Sequence, residues 1–393
     1  MTAAGLRGRA ADVVEPFRAS RNLSRALVAA VIIVAALVPL GFGALDPFIS
    51  NSVKALAYVV MALGLNIVVG YAGLLDLGYV AFYALGAYTM GWLGSGFFAH
   101  VNGGKGIAIG VSGFATNFPG IHLNFLLIIV AAVIIAAVAG AIIGLPTLRL
   151  RGDYIAIVTL AFGEIIGVFA VNGDSIHFGS YHLTAGRQGI TPVDPVQLPG
   201  VSAFDQSTNL RPWYWTALVL VLIVLFVNKR LRDSRLGRAW IAIREDEVAA
   251  ASMGVPLVRT KLMAYATGAA FGGLAGAFLG SFLNTVNADQ FEFSFSIFVL
   301  AMIILGGLGS MWGVALGALA LSYINSYLIP DVFNNWAQNL GFDLTSLSFG
   351  IFGFLLVIIM VLRPQGLLPE RRRKLELAEG VGVGEETIYE ARA

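Results

Sequence analysis

The sequence predicts an all-α, polytopic membrane protein with about ten transmembrane helices and both termini cytoplasmic. Three observations carry this expectation. Apolar residues make up 58% of 393, charged residues only 12%, and mean hydropathy is +0.81, a combination foreign to soluble globular domains. Apolar runs of membrane-crossing length recur along the chain. The basic residues then sort cleanly to one side of those runs.

The runs lie near 26–44, 50–70, 78–98, 121–145, 153–171, 212–228, 260–283, 293–306, 311–328 and 347–362. The first follows a basic lead of Arg7, Arg9, Arg18, Arg21 and Arg25 and has no clear small-residue cleavage site after it, so it reads as an uncleaved span. With the N-terminus inside, twenty-one of the 25 Lys/Arg fall on inner segments: that lead, Arg149 and Arg151, eight in a central loop, and six from Arg363 onward. Only Lys54, Lys105, Arg187 and Arg211 fall outside. Three regions follow: a basic segment at 1–25, a membrane-spanning domain at 26–370, and a charged, glycine-containing tail at 371–393 expected to be disordered.

The central loop, 228–261, holds Lys229, Arg230, Arg232, Arg235, Arg238, Arg244, Arg259 and Lys261. Within it Glu245, Asp246 and Glu247 suit the acidic first turn of a short helix, and Gly254 and Pro256 suit its end. A charged helix at the membrane surface is suited to docking another protein. The outer connections 99–120 and 172–211 contain or adjoin His100, His122, His177 and His182, whose spacing matches no metal motif, so solvated loop histidines are expected. Trp213, Tyr214 and Trp215 suit an interfacial aromatic belt.

Ionisable groups inside spans are costly and therefore candidates for function. Glu164 lies about ten residues into its span and reads as the most deeply placed carboxylate. Asp76 sits in the glycine-rich break GYAGLLDLG, where irregular backbone must face protein or water. Each is read either as a pathway or gating group or as a paired structural carboxylate. Asp153 reads as a cap or interfacial ion pair, and Asn66, Tyr71, Tyr79 and Thr159 are further polar pathway candidates. A second break, LGGLGSMWG at 305–313, could pair with the first in a site built from interrupted helices. Gly268, Gly272, Gly276 and Gly280 form a bare helix stripe, repeated by Gly309, Gly313 and Gly317; such stripes serve packing within one subunit or between subunits.

No cysteine is present, and no H-E-x-x-H, G-x-S-x-G or P-loop occurs. The Gly104-Lys105 pair lacks the flanking residues a P-loop needs. Net charge of +2 gives no reason to expect nucleic acid. No metal site, catalytic residue or cofactor is expected in this chain, and any ATPase must be another chain.

Five segments, LRLRGDYIAIVTLAFGEII (148–166), GYAGLLDLGYVAFYALGAYT (70–89), LGRAWIAIREDEVAAASMGV (236–255), LGGLGSMWGVALGA (305–318) and RPQGLLPE (363–370), together resemble the LivM-type permease family of branched-chain amino-acid ABC importers. The resemblance runs from about residue 48 to 370. It implies a non-catalytic subunit of the bacterial inner membrane, importing branched-chain or other neutral amino acids by alternating access. The implied partners are a homologous LivH-type permease, two ATPase subunits carrying ATP and Mg, an extracytoplasmic substrate-binding protein, and membrane lipid. It also implies that Arg238, Arg244, Glu245, Asp246, Glu247, Ala249, Ala250, Met253 and Gly254 belong to an ATPase-coupling helix. The outer segment LTAGRQGI (183–190) departs from the family's LTGGPNGI at Arg187 and Gln188, which leaves a urea or short-amide permease open. An ion-coupled secondary transporter using Asp76 or Glu164 is a second alternative.

Overall fold

The computed structural model describes residues 21–111, 118–147, 154–179, 181–198 and 203–333, with scattered positions between 350 and 368. Arg149, Arg151, Asp153, the N-terminal basic lead up to Arg18 and the tail beyond Leu368 lie outside the described residues, as does most of the expected span at 347–362.

The described chain is mostly helical. In order it forms α1 (Arg21–Leu37), α2 (Pro47–Leu65), α3 (Val80–Leu93), α4 (Phe125–Thr147), α5 (Tyr154–Asn172), α6 (Arg211–Asp233), α7 (Arg235–Glu245), α8 (Glu247–Ser252), α9 (Leu257–Phe282), α10 (Phe293–Gly306) and α11 (Met311–Tyr323). Two π-helical segments, Asn66–Tyr71 and Ile324–Phe333, extend α2 and α11. Among the described residues, six helices are long and apolar enough to cross a membrane, including α2 and α11 with their extensions, and three apolar helices are shorter.

The core is organised around α9. This helix packs against α2, α3 and α4, and its glycines let backbones meet. A Cβ on Gly276 would lie 2.1 Å from the Tyr83 carbonyl oxygen, one on Gly268 2.5 Å from Val68 Cγ2, and one on Gly272 3.0 Å from Phe82. Gly280 faces Val286 and Ala87. The stripe thus lies against α2, α3 and the following loop of the same chain. The opposite flank of α9 meets α4 through Gly140 against Ala269 and Gly273 against Ala136.

The second stripe differs from the expected one. Gly313 and Gly317 sit on α11 against Gly306 and Met302 of α10, but Gly309 precedes the helix, with φ +84°. Ser310 caps α11 by accepting from the Gly313 N–H at 3.2 Å, so the helix cannot begin earlier.

Short strands gather at one end of the bundle. β1 (Gly94–Ser95) and β2 (Ile107–Ile109) flank β3 (Ile121–Leu123), and β4 (His177–Phe178) pairs with β5 (Tyr181–His182). Bridges Ser95–Val193 and Ile190–Val286 tie the connections together. His122 overturns the expectation of solvated histidines: it is buried on β3, and its Nδ1 lies 2.7 Å from Asp194 Oδ2. Burial pushes the Asp194 carboxyl above its ordinary value, while the hydrogen bond and charge of His122 pull the other way. His100, His177 and His182 are exposed.

The aromatic belt is also corrected. Trp213 is fully buried against Phe204, Phe278 and Phe282, and Tyr214 is buried with its hydroxyl donating to the Ala35 carbonyl; only Trp215 is exposed. Three successive helical residues point in different directions, so they cannot share one lipid-facing belt.

Candidate functional site

At the end of the bundle away from the strands, the two glycine-rich breaks meet. After α2 the chain widens into the π-helical turn Asn66–Tyr71 and then runs irregularly to Tyr79. Asn66 is fully buried and its Oδ1 accepts the Gly309 N–H at 3.0 Å, joining the first break to the second. A Cβ on Gly70 would lie 2.8 Å from the Gly309 nitrogen.

The irregular backbone is satisfied by side chains from neighbouring helices and from the break itself, as non-helical segments within a membrane protein require. The Leu77 N–H donates to Thr159 Oγ1 at 3.1 Å, the Val80 N–H to Ser296 Oγ at 3.0 Å, and the Gly78 N–H to Asp76 Oδ1 at 2.9 Å. Gly78 touches α5 directly, since a Cβ there would lie 1.9 Å from the Thr159 carbonyl oxygen. Tyr79 donates from its hydroxyl to the Gly268 carbonyl at 2.8 Å, and Tyr71 is buried. Among the described residues, Asp76 Oδ2 and Asn66 Nδ2 are buried without a hydrogen-bond partner. Such atoms are rare in folded proteins, where a water, an ion or a neighbouring group usually meets their bonding needs.

Glu164 does not join this cluster. It is exposed, on a face of α5 turned away from Asp76, whereas Asp76 is buried and is the more deeply enclosed of the two. Its neighbour Gly163 faces Gly78, and one helical residue turns the side chain by about 100°. Glu164 instead lines a cleft at the strand end of the bundle.

The polar central loop proves to be two helices rather than one. α6 runs on to Asp233, and Ser234 caps α7. α7 buries Gly237, Trp240 and Ile243, and the Trp240 indole donates to the Thr260 carbonyl at 2.8 Å, pinning α7 to α9. Glu245 is the last residue of α7, not part of the next first turn. Asp246 breaks the helix and caps α8, its Oδ1 accepting from Val248 and Ala249 at 2.8 and 3.0 Å. Only Glu247 of the acidic trio lies in that first turn. Glu247 also pairs at 2.7 Å with Lys261, whose side chain is buried. Ala250 is buried, while Arg238, Val248, Ala249, Met253 and Gly254 face outward, Met253 being 86% exposed.

One contact links these surface helices to the breaks. Arg244 Nη1 donates to the Gly70 carbonyl at 2.6 Å, and the arginine stem lies across Gly73, where a Cβ would stand 2.5 Å from Arg244 Cγ. α7, Gly70, Asn66 and Gly309 therefore form a continuous chain of contacts. Sequence reasoning selected Arg244 and Asn66 separately. It missed Ser296, because a single Ser in an apolar run carries no signal, and it placed Lys261, Gly70 and Gly73 in the loop and the break without finding their partners, Glu247 and Arg244. Among the described residues, no cluster of three His, Cys, Asp or Glu side chains could hold a metal ion.

Comparison with known proteins agrees with this architecture. The family described as the branched-chain amino acid transport system permease component matches residues 48–360. The LivM high-affinity branched-chain amino acid transport permease of Salmonella typhimurium is 39% identical over 349 residues, covering 84% of this chain and 72% of its own. A probable LivM permease of Methanocaldococcus jannaschii is 28% identical, covering 80% and 91%. The LivH permease of Escherichia coli is 23% identical, covering 79% and 91%. No solved structure matches the chain.

Proposed function

The chain belongs to the branched-chain amino acid permease family, and from that premise we propose how it works as the membrane subunit of an ATP-driven importer of branched-chain or other neutral amino acids. It pairs with a LivH-type permease, receives substrate from an extracytoplasmic binding protein, and rests on two ATPase subunits that carry ATP and Mg. It lies in the bacterial inner membrane with ten spans, both termini inside, and the α7–α8 end cytoplasmic.

The observation that carries the coupling mechanism is the Arg244–Gly70 contact. The outward face of α8, with Val248, Ala249 and Met253, docks on an ATPase; exposed apolar side chains in a water-facing helix suit such an interface. Asp246 and Gly254 bound this helix, and Arg238, Glu245 and Glu247 hold its surroundings. Closure of the ATPases moves α7 and α8, and Arg244 passes the motion to the 66–79 break. That break carries Asn66, Tyr71, Asp76 and Tyr79 and rests on Thr159, so its displacement changes the inner end of the pathway. Glu164 serves the outer end. The glycine stripes of α9 and α11 allow close helix contacts around the moving segment.

Co-purification and transport test this reading. The complex should copurify with its ATPases and take up leucine only with ATP, and V248D/M253D should release the ATPases while leaving the permease pair intact. Uptake by the purified chain alone, driven by an ion gradient, would overturn the reading, as would transport of urea in preference to leucine.

A further inference from the structure

The cleft on the strand side of the molecule has a volume of about 520 Å³ and is bordered by α5, the turn Gly186–Gln188 and the turn Ala288–Phe291. That volume falls within the roughly 300–1,000 Å³ of small-molecule sites. Its charged lining consists of one guanidinium, Arg187, and three carboxylates, Glu164, Asp289 and Glu292, with the amide of Asn172 beside them. Among the described residues, no ion pair joins Arg187 to any of these carboxylates. Both signs of charge therefore stand across one cleft without neutralising each other.

The positions are held rather than loose. Thr184 Oγ1 donates to the Ala170 carbonyl at 2.9 Å and accepts from the Gly186 N–H at 3.2 Å, fixing the Arg187 turn to the end of α5. Ile190 and Val286 exchange backbone hydrogen bonds at 2.9 and 3.0 Å, fixing the same segment to the connection that carries Asp289 and Glu292. Glu164, Gly167, Val168 and Val171 recur at helical spacing and place one face of α5 along the cleft. Glu164 stands eight residues before Asn172, about 12 Å along the helix, so the cleft leads from the outer surface into the depth of a span. A carboxylate at that depth needs a polar or charged counterpart. Val168, Val171 and Phe293 give the cleft an apolar side.

We propose that this cleft receives the zwitterionic head of an α-amino acid, with Arg187 taking the carboxylate and Asp289, Glu292 and Glu164 taking the ammonium as the molecule moves inward. The apolar side chain lies against Val168, Val171 and Phe293. Arginine suits the carboxylate because its planar fork binds both oxygens at once. The proposal rests on the importer reading above and adds to it the outer site that distinguishes amino acids from neutral amides.

The test uses the complete complex, measuring binding of radiolabelled leucine without the binding protein, and ATP-driven leucine uptake with it. Leucinamide, which lacks the carboxylate, and 4-methylpentanoate, which lacks the ammonium, serve as competitors. Wild-type complex should bind leucine at least tenfold better than either. R187A should lose the preference for leucine over leucinamide, and R187K should restore part of it. D289N/E292Q should lose the preference over 4-methylpentanoate. A general structural defect would weaken all three ligands alike. No leucine binding by the wild type, an unchanged leucine-to-leucinamide ratio in R187A, or a D289N/E292Q phenotype confined to sodium dependence would overturn the proposal. If ATP-driven leucine uptake is itself absent, the importer reading fails instead.

Discussion

Replacing Arg244 with alanine removes the contact through which α7 reaches the 66–79 break. The guanidinium donates one charge-assisted hydrogen bond to the Gly70 carbonyl at 2.6 Å. Such a bond contributes about 1.5–3 kcal/mol when fully buried. Arg244 is half-buried, and solvent screening reduces the figure to about 1 kcal/mol. As a coupling energy, about 1 kcal/mol corresponds to roughly a fivefold change in the linked equilibrium. On the proposed coupling route, R244A in proteoliposomes containing the complete transporter should therefore lower leucine transported per ATP hydrolysed, by up to about fivefold, with assembly unchanged. Gly73 provides an independent perturbation of the same link. Its φ of +70° suits glycine, and an alanine Cβ would stand 2.5 Å from Arg244 Cγ, so G73A must displace the arginine stem. Because both substitutions act through one contact, R244A/G73A should be no worse coupled than the more severe single variant. Unchanged leucine-to-ATP stoichiometry in an assembled R244A complex would refute the reasoning, and additive losses in the double variant would place the two residues on separate routes.

Three further outcomes are expected. E247A leaves the Lys261 ammonium buried without its partner; because Glu247 is 37% exposed, the cost should be about 1–2 kcal/mol rather than that of a fully buried pair, seen as a lower melting temperature that K261M largely restores. G276A sets a methyl 2.1 Å from the Tyr83 carbonyl and must push α3 from α9, costing about 1–3 kcal/mol and broadening the size-exclusion peak of the purified protein. H122A removes the buried partner of Asp194, so hydrogen exchange should rise in β1 and β3 with little change in α7, whereas uniform exchange across both ends would contradict a local role.

The helical, membrane-spanning character of this protein was legible in its sequence because it depends on composition and run length. A span needs only enough consecutive apolar residues, and the runs at 212–228 and 260–283 correspond to α6 and α9 to within several residues. The breaks were legible for a related reason: GYAGLLDLG concentrates glycine where no helix would be expected to continue. Family membership was legible through motifs spread along the chain in one order.

Other features depended on which side chains meet across large separations. Asn66 finds Gly309 and Arg244 finds Gly70 only after the helices pack. His122 and Asp194 lie in loops that read as polar and solvated, yet the small sheet folds them inward. Glu164 read as the most deeply placed carboxylate and Asp76 as an acid in a break; the rotation of α5 sends the first to an open cleft, and packing leaves the second enclosed. Hydropathy and charge counting integrate over a segment and so determine class and the number of apolar runs, whereas a hydrogen bond depends on ångström-scale position and orientation, which only helix packing specifies.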